Sequence, residues 1–193
     1  MRIGIFGGSF NPVHEGHLCL ADAAASELGL DQVVFVPSFQ NPLKKKEELL
    51  PPAIRTKLLR AAIKSRLGFS VSLCEINRKG PSFTVDTLKF FKRKFGKRAT
   101  LYFLSGADAL KNLDRWKSVD EVFRLCRFVV MTRPGYAMKK TQRPILQVPF
   151  KALPISSSLV RLRLKHGKAI DRLVPPGTAK LLKNYFNKTK REA

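Results

Sequence analysis

The chain predicts an α/β fold, a Rossmann-like open parallel sheet with helices on both faces and a small C-terminal helical region. Three observations carry this. Short apolar or β-branched runs alternate with segments of helical period. The intervening helices are long enough to act as crossovers, which makes βαβ units and a mostly parallel sheet covered on both sides. No internal repeat and no long flexible linker divides the chain. The 193 residues are about 1.3 times the usual domain length, so 1–193 reads as a single domain, with its helical part from about 155 onward.

The elements follow in order. Arg2–Phe6 is a short apolar run closed by Gly7-Gly8, a buried strand ending in a tight turn. Leu18, Ala21, Ala25 and Leu28 recur at spacings of three and four, a helix that Gly29 can stop. Gln32–Val36 is β-branched and ends at Pro37, a second strand. Pro51-Pro52 opens a helix with Ile54, Leu58, Ala61 and Leu67 on one face. Phe69–Ile76 alternates and predicts a third strand. A helix marked by Val85, Leu88, Phe91 and Phe95 precedes a strand over Thr100–Leu104. A helical stretch over Val119–Leu125 leads into a strand over Arg127–Met131. Two short helices near Ser157–Lys165 and Gly177–Phe186 follow, and the polar tail Asn187–Ala193 reads as frayed.

Composition bounds the chemistry. The hydrophobic fraction of 44% and charged fraction of 26% are those of a globular protein and argue against a disordered or fibrous chain. The balance of 37 basic against 14 acidic residues, +23, attracts a polyanion: nucleotide, nucleic acid or anionic membrane surface. Cys19, Cys74 and Cys126 are odd in number and form no CxxC pair, so neither a disulfide framework nor a zinc ribbon is indicated, and a reducing cytosol fits. The opening residues do not read as a secretory signal, and no apolar run approaches the ~20 residues of a membrane span. The expectation is a cytoplasmic protein that avoids membranes and binds nucleic acid nonspecifically at low salt; nothing selects an oligomeric state.

The segment Gly7-Gly8-Ser9-Phe10-Asn11-Pro12-Val13-His14-Glu15-Gly16-His17 follows the first strand, where open sheets hold ligands. It is neither a Walker A loop nor a GxGxxG fingerprint. Gly7 and Gly8 let backbone come close to a ligand. A helix starting near His14 or Glu15 points its free N–H groups at the same crevice. His14 and His17 share a helix face, with Gly16 between them leaving the approach open, a donor pair suited to phosphate oxygens. An HxxH pair can also bind zinc, but the third ligand is missing: the only other histidine, His166, lies in a distant basic helix, so no metal site is expected. Further on, Ser156, Ser157 and Ser158 after Pro154 are good helix caps, with Arg161 one turn in, where its planar fork can grip phosphate. Trp116, the only tryptophan, sits in a polar loop as a stacking platform or a packing residue.

These motifs resemble those of the nucleotidylyltransferase superfamily, and GGSFNPVHEGH most resembles the bacterial nicotinate-nucleotide adenylyltransferases within it. The resemblance extends over nearly the full length. It implies transfer of AMP from ATP to the 5′-phosphate of nicotinate mononucleotide, by direct in-line attack, with His14, His17 and Arg161 catalytic. Ile155–Arg161 resembles the family's ISSTxxR motif, with Ser158 where Thr is usual. By the same resemblance Gly7, Gly8, Ser9, Phe10, Gly16 and Ser156–Ser158 surround ATP. Gly106 and Asp108 match a GxD element near the ribose, although a loop Asp can equally cap the next helix. Arg133 opens an RPG turn bordering adenine. Pro81–Leu88 is similar to a PSYTxDTL segment that places Thr84 against the nicotinate end, and Trp116 matches a loop Trp on which the pyridine stacks. Gln40–Lys44 resembles an NxPxHK loop, with Leu43 at its His, offering Lys44 to phosphate. Mg²⁺ is expected on the phosphates with few or no protein ligands. Two alternatives stand beside this reading: a sister enzyme using phosphopantetheine or nicotinamide mononucleotide, and a basic nucleic-acid-binding module.

Overall fold

A computed structural model describes residues 1–43, 49–133, 135 and 142–191. Strands β1 (Arg2–Gly8), β2 (Gln32–Pro37), β3 (Phe69–Val71), β4 (Thr100–Gly106), β5 (Arg127–Thr132) and β6 (Ile145–Pro149) form one sheet in the order β3-β2-β1-β4-β5-β6. Every pairing is parallel; Ile5, for example, lies opposite Val34 of β2 and Phe103 of β4. All the strands therefore end at the same edge. The chain turns back between β1 and β4, the place where a crevice opens beyond the strand ends.

Helices α1 (Glu15–Leu28), α2 (Pro52–Ile63), α6 (Ser157–Lys165) and α7 (Pro176–Arg191) take one face; α4 (Thr84–Phe95) and α5 (Val119–Leu125) take the other, with the short α3 (Cys74–Arg78) between β3 and α4. Period two in β1 decides the split: Phe6 joins Leu18, Phe35, Leu58 and Leu182 in one core, while Ile3 and Ile5 join Leu88, Phe103 and Phe128 in the other. Gly29 ends α1 in the left-handed conformation (φ 54°) that glycine adopts without strain. Among the described residues no helix is long and apolar enough to cross a membrane.

Several expectations are corrected. The predicted strand Phe69–Ile76 stops at Val71, because Cys74 begins α3. Helix α2 ends at Ile63, leaving Leu67 fully exposed rather than on its apolar face. β6 went unrecognised, having only Val148 buried. The C-terminal helix continues past Phe186 to Arg191, through residues expected to fray. The three thiols are free and half-buried; desolvation raises all three, Cys126 to about 12, so they behave as packing residues rather than nucleophiles.

Candidate active site

The loop after β1 has its carbonyls turned into the protein. Gly8 O accepts from Ser38 N (2.9 Å), Ser9 O from Arg55 Nη1 (2.8 Å), Asn11 O from Arg161 Nη1 (2.7 Å) and Pro12 O from Ser157 Oγ (2.8 Å). A loop that meets an anion must keep its carbonyl oxygens away from it, and here four are occupied by donors from three other segments: the loop after β2, α2 and α6. Phe10 anchors the turn: its ring is buried, its φ is 45°, and it lies so close to residue 8 that a Cβ there would meet the ring at 3.1 Å. Gly8 is the residue that fits.

His14 proves to be the N-cap of α1, with extended backbone (φ −145°), and not a member of its first turn. Its backbone N donates to His17 Nδ1 at 3.2 Å. An accepting Nδ1 puts the proton of neutral His17 on Nε2, the nitrogen away from the cap. The two imidazoles lie 3.7 Å apart, centre to centre, and Phe10 backs His17 edge-on at 5.1 Å. His14 is buried, and loss of hydration lowers its pKa to about 4, so it is neutral at pH 7. Among the described residues its Nδ1 has no hydrogen-bond partner. Gly16 faces that atom: a Cβ there would come within 3.0 Å of it.

The start of α6 docks on this loop from 150 residues away in sequence. Ser156 caps the helix by accepting from Leu159 N (3.1 Å), Ser157 bonds Pro12, and Ser158 Oγ accepts from Arg161 Nη2 (3.4 Å). The half-buried Arg161 guanidinium thus joins its own helix to the His loop, and the amino ends of α1 and α6 meet beside it.

The remaining candidates border the same strand edge. Gly106 ends β4 and is the N-cap of the following 3-10 helix (Ala107–Arg115); Asp108, its second residue, is exposed and pairs with Lys111 at 3.0 Å. Arg133 is exposed directly after β5. On the other side of β4, Trp116 packs edge-on to Phe103 and Phe128, each 5.7 Å away, while staying half-exposed. Its neighbour Lys117 lies 4.6 Å over the Phe83 ring and 3.6 Å from Asp86. This brings the Trp116 loop against Thr84, the first residue of α4. Ser82 ties that segment to the loop after β2, through Phe39 N to Ser82 Oγ (3.0 Å) and Ser82 N to Gln40 O (2.8 Å). Buried Glu75 accepts from Thr87 Oγ1 at 2.5 Å, its pKa raised by desolvation. Lys44, with Lys45 and Lys46, lies outside the described residues, as do Pro134 and Tyr136. Among the described residues no cluster of three His, Cys, Asp or Glu could hold a metal ion.

Two contributors were not foreseen. Asn11 Oδ1 accepts from Leu50 N at 2.9 Å, and Arg55, fully buried on α2, reaches the loop after β1. Asn11 lay in plain view within the motif; a buried arginine in an otherwise ordinary amphipathic helix leaves no sequence signal.

Comparison with known proteins adds lineage to geometry. Residues 5–163 match the cytidylyltransferase-like family model. The chain is 38% identical to the probable nicotinate-nucleotide adenylyltransferase of Moorella thermoacetica, over 95% of this chain and 89% of that one. It is 37% identical to the protein of the same name from Thermoanaerobacter sp. (strain X514), over 96% and 93%. Among solved structures, the Plasmodium falciparum nicotinic acid mononucleotide adenylyltransferase complexed with NaAD superposes with a TM-score of 0.78 at 20% identity, covering 96% of this chain and 97% of that one. The structural likeness speaks for the fold, and the sequence identity, sustained across nearly the whole length, for descent: this chain belongs to the nicotinate-nucleotide adenylyltransferase family.

Proposed function

We propose that this protein joins the 5′-phosphate of nicotinate mononucleotide to the α-phosphorus of ATP, releasing pyrophosphate and forming deamido-NAD, in the cytoplasm and with residues 1–193 acting as one domain. The observation that carries the reading is the convergence of His17 and Arg161 on a loop four of whose carbonyls are engaged by other segments. An acceptor phosphate oxygen attacks, the bond to the β-phosphate breaks, and the electron pair leaves with pyrophosphate. The attacking oxygen is already anionic, so no general base is required; the work is to hold two anions together and stabilise spreading charge.

His17 donates from Nε2 to the α-phosphate, and His14, kept neutral, offers a second imidazole beside it. Arg161 keeps unused N–H groups beyond its two protein bonds, and these hold the leaving phosphates with Ser156–Ser158. Gly7, Gly8, Ser9, Phe10 and Gly16 shape the phosphate cradle. Gly106 and Asp108 take the ribose and Arg133 the adenine. Trp116 and Thr84 receive the nicotinate end, with Lys44 on its phosphate. The donors here are imidazole, hydroxyl and guanidinium, an anion's set, so Mg²⁺ belongs on the triphosphate, where it offsets charge.

The test is pyrophosphate release from ATP with one acceptor at a time: nicotinate mononucleotide, nicotinamide mononucleotide or phosphopantetheine. The proposal expects kcat/KM for nicotinate mononucleotide to exceed the others by about tenfold or more. A preference for phosphopantetheine overturns it.

A further inference from the structure

Arg55 has no place in the mechanism above, yet among the described residues it has one of the largest fully buried side chains. From α2 it donates through Nε to Leu50 O (2.9 Å) and through Nη1 to Ser9 O (2.8 Å). Leu50 in turn donates its N–H to Asn11 Oδ1 (2.9 Å). These three bonds close a ring through residues 9 to 11 of the phosphate loop, residue 50 and α2. Both acceptors of Arg55 are neutral carbonyls. An apolar side chain would fill such a site at a lower desolvation cost, so packing alone does not account for a guanidinium there.

We propose that Arg55 is a positioning residue for ATP. Its planar fork holds the carbonyls of Ser9 and Leu50 at a fixed separation, which turns the Ser9 carbonyl away from the triphosphate and fixes the loop that carries Asn11. Arg161 secures the same loop from α6, through Asn11 O. The buried positive charge also lies directly behind the loop, in a poorly screened environment, and favours an anion in front of it. This inference rests on the proposed function in taking ATP as the ligand of the loop.

The experiment measures ATP affinity of the full-length protein by titration calorimetry, alongside KM for each substrate and the melting temperature, for wild type, Arg55→Lys, Arg55→Met and Asn11→Ala. Lysine keeps the charge without the fork; Asn11→Ala opens the ring while leaving Arg55 in place. The proposal expects each folded variant to bind ATP about tenfold more weakly or worse, with KM for ATP raised in parallel. A merely structural role lowers the melting temperature and the active fraction but leaves the ATP affinity of the folded molecules unchanged. ATP affinity within about twofold of wild type in Arg55→Lys and Asn11→Ala overturns the proposal, even if Arg55→Met does not fold. Because calorimetry reads ATP binding without turnover, a wild type that binds ATP but adenylylates no nicotinate mononucleotide refutes the functional reading separately.

Discussion

His14 is held uncharged by its burial. Burial lowers its pKa to about 4, against 6.5 for the free side chain. Between those values the unfolded chain binds a proton that the folded chain refuses, so stability is intact above pH 6.5 and declines as the pH falls toward 4. The full loss is on the order of 3 kcal/mol. Urea unfolding from pH 7 to pH 4.5 is expected to show this decline in the wild type and a weaker one in His14→Thr; equal slopes would remove His14 as the cause. The same residue shows how far a sequence can be read at this scale. The spacing of His14 and His17 identified the pair, but not that one caps the helix and the other accepts its backbone proton. Arg55 escaped notice because a charged residue in an amphipathic helix ordinarily reads as solvated.

Two helix starts frame the site, and the contact between them is a matter of single hydrogen bonds. Ser157→Ala removes the donor to Pro12 O and leaves α6 held to the loop by Arg161. The expected loss is about 1–2 kcal/mol of stability, with weaker ATP binding. Calorimetry with melting curves checks it; a variant that melts and binds like wild type would show that α6 docks by apolar packing alone. The elements legible in the sequence were those with a strong period or a clear start or stop: β1, α1, β2, α2, α4, β4, α5, β5, α6 and α7. The hardest to read sit at the sheet edges: β6 was missed, and β3 was found but drawn too long. β6 buries only Val148, and β3 spans three residues, so neither makes the continuous apolar run of a central strand. Cys74–Arg78 mimicked a strand because a five-residue helix has too few turns to display a period.

At the scale of the molecule, the +23 charge is spread unevenly. Helices α2 and α7 pack together, and neither contains an acidic residue. Lys57, Arg60, Lys180 and Lys183 are exposed along them. We expect weak RNA binding there that falls steeply between about 50 and 200 mM salt, while ATP affinity changes far less; filter binding across that range checks it, and RNA binding indifferent to salt would contradict it. The proposed catalysis is assigned to the place where the strand edge, the loop after β1 and two helix starts meet. His17→Asn retains an acceptor near Nδ1 for the cap and loses the outward N–H, so it separates chemistry from folding. Pyrophosphate release from ATP and nicotinate mononucleotide by this variant, at unchanged melting temperature, is expected to be about 100-fold slower in kcat. A variant that folds normally and turns over within about tenfold of wild type would contradict the role given to the imidazole on which the triphosphate site is built.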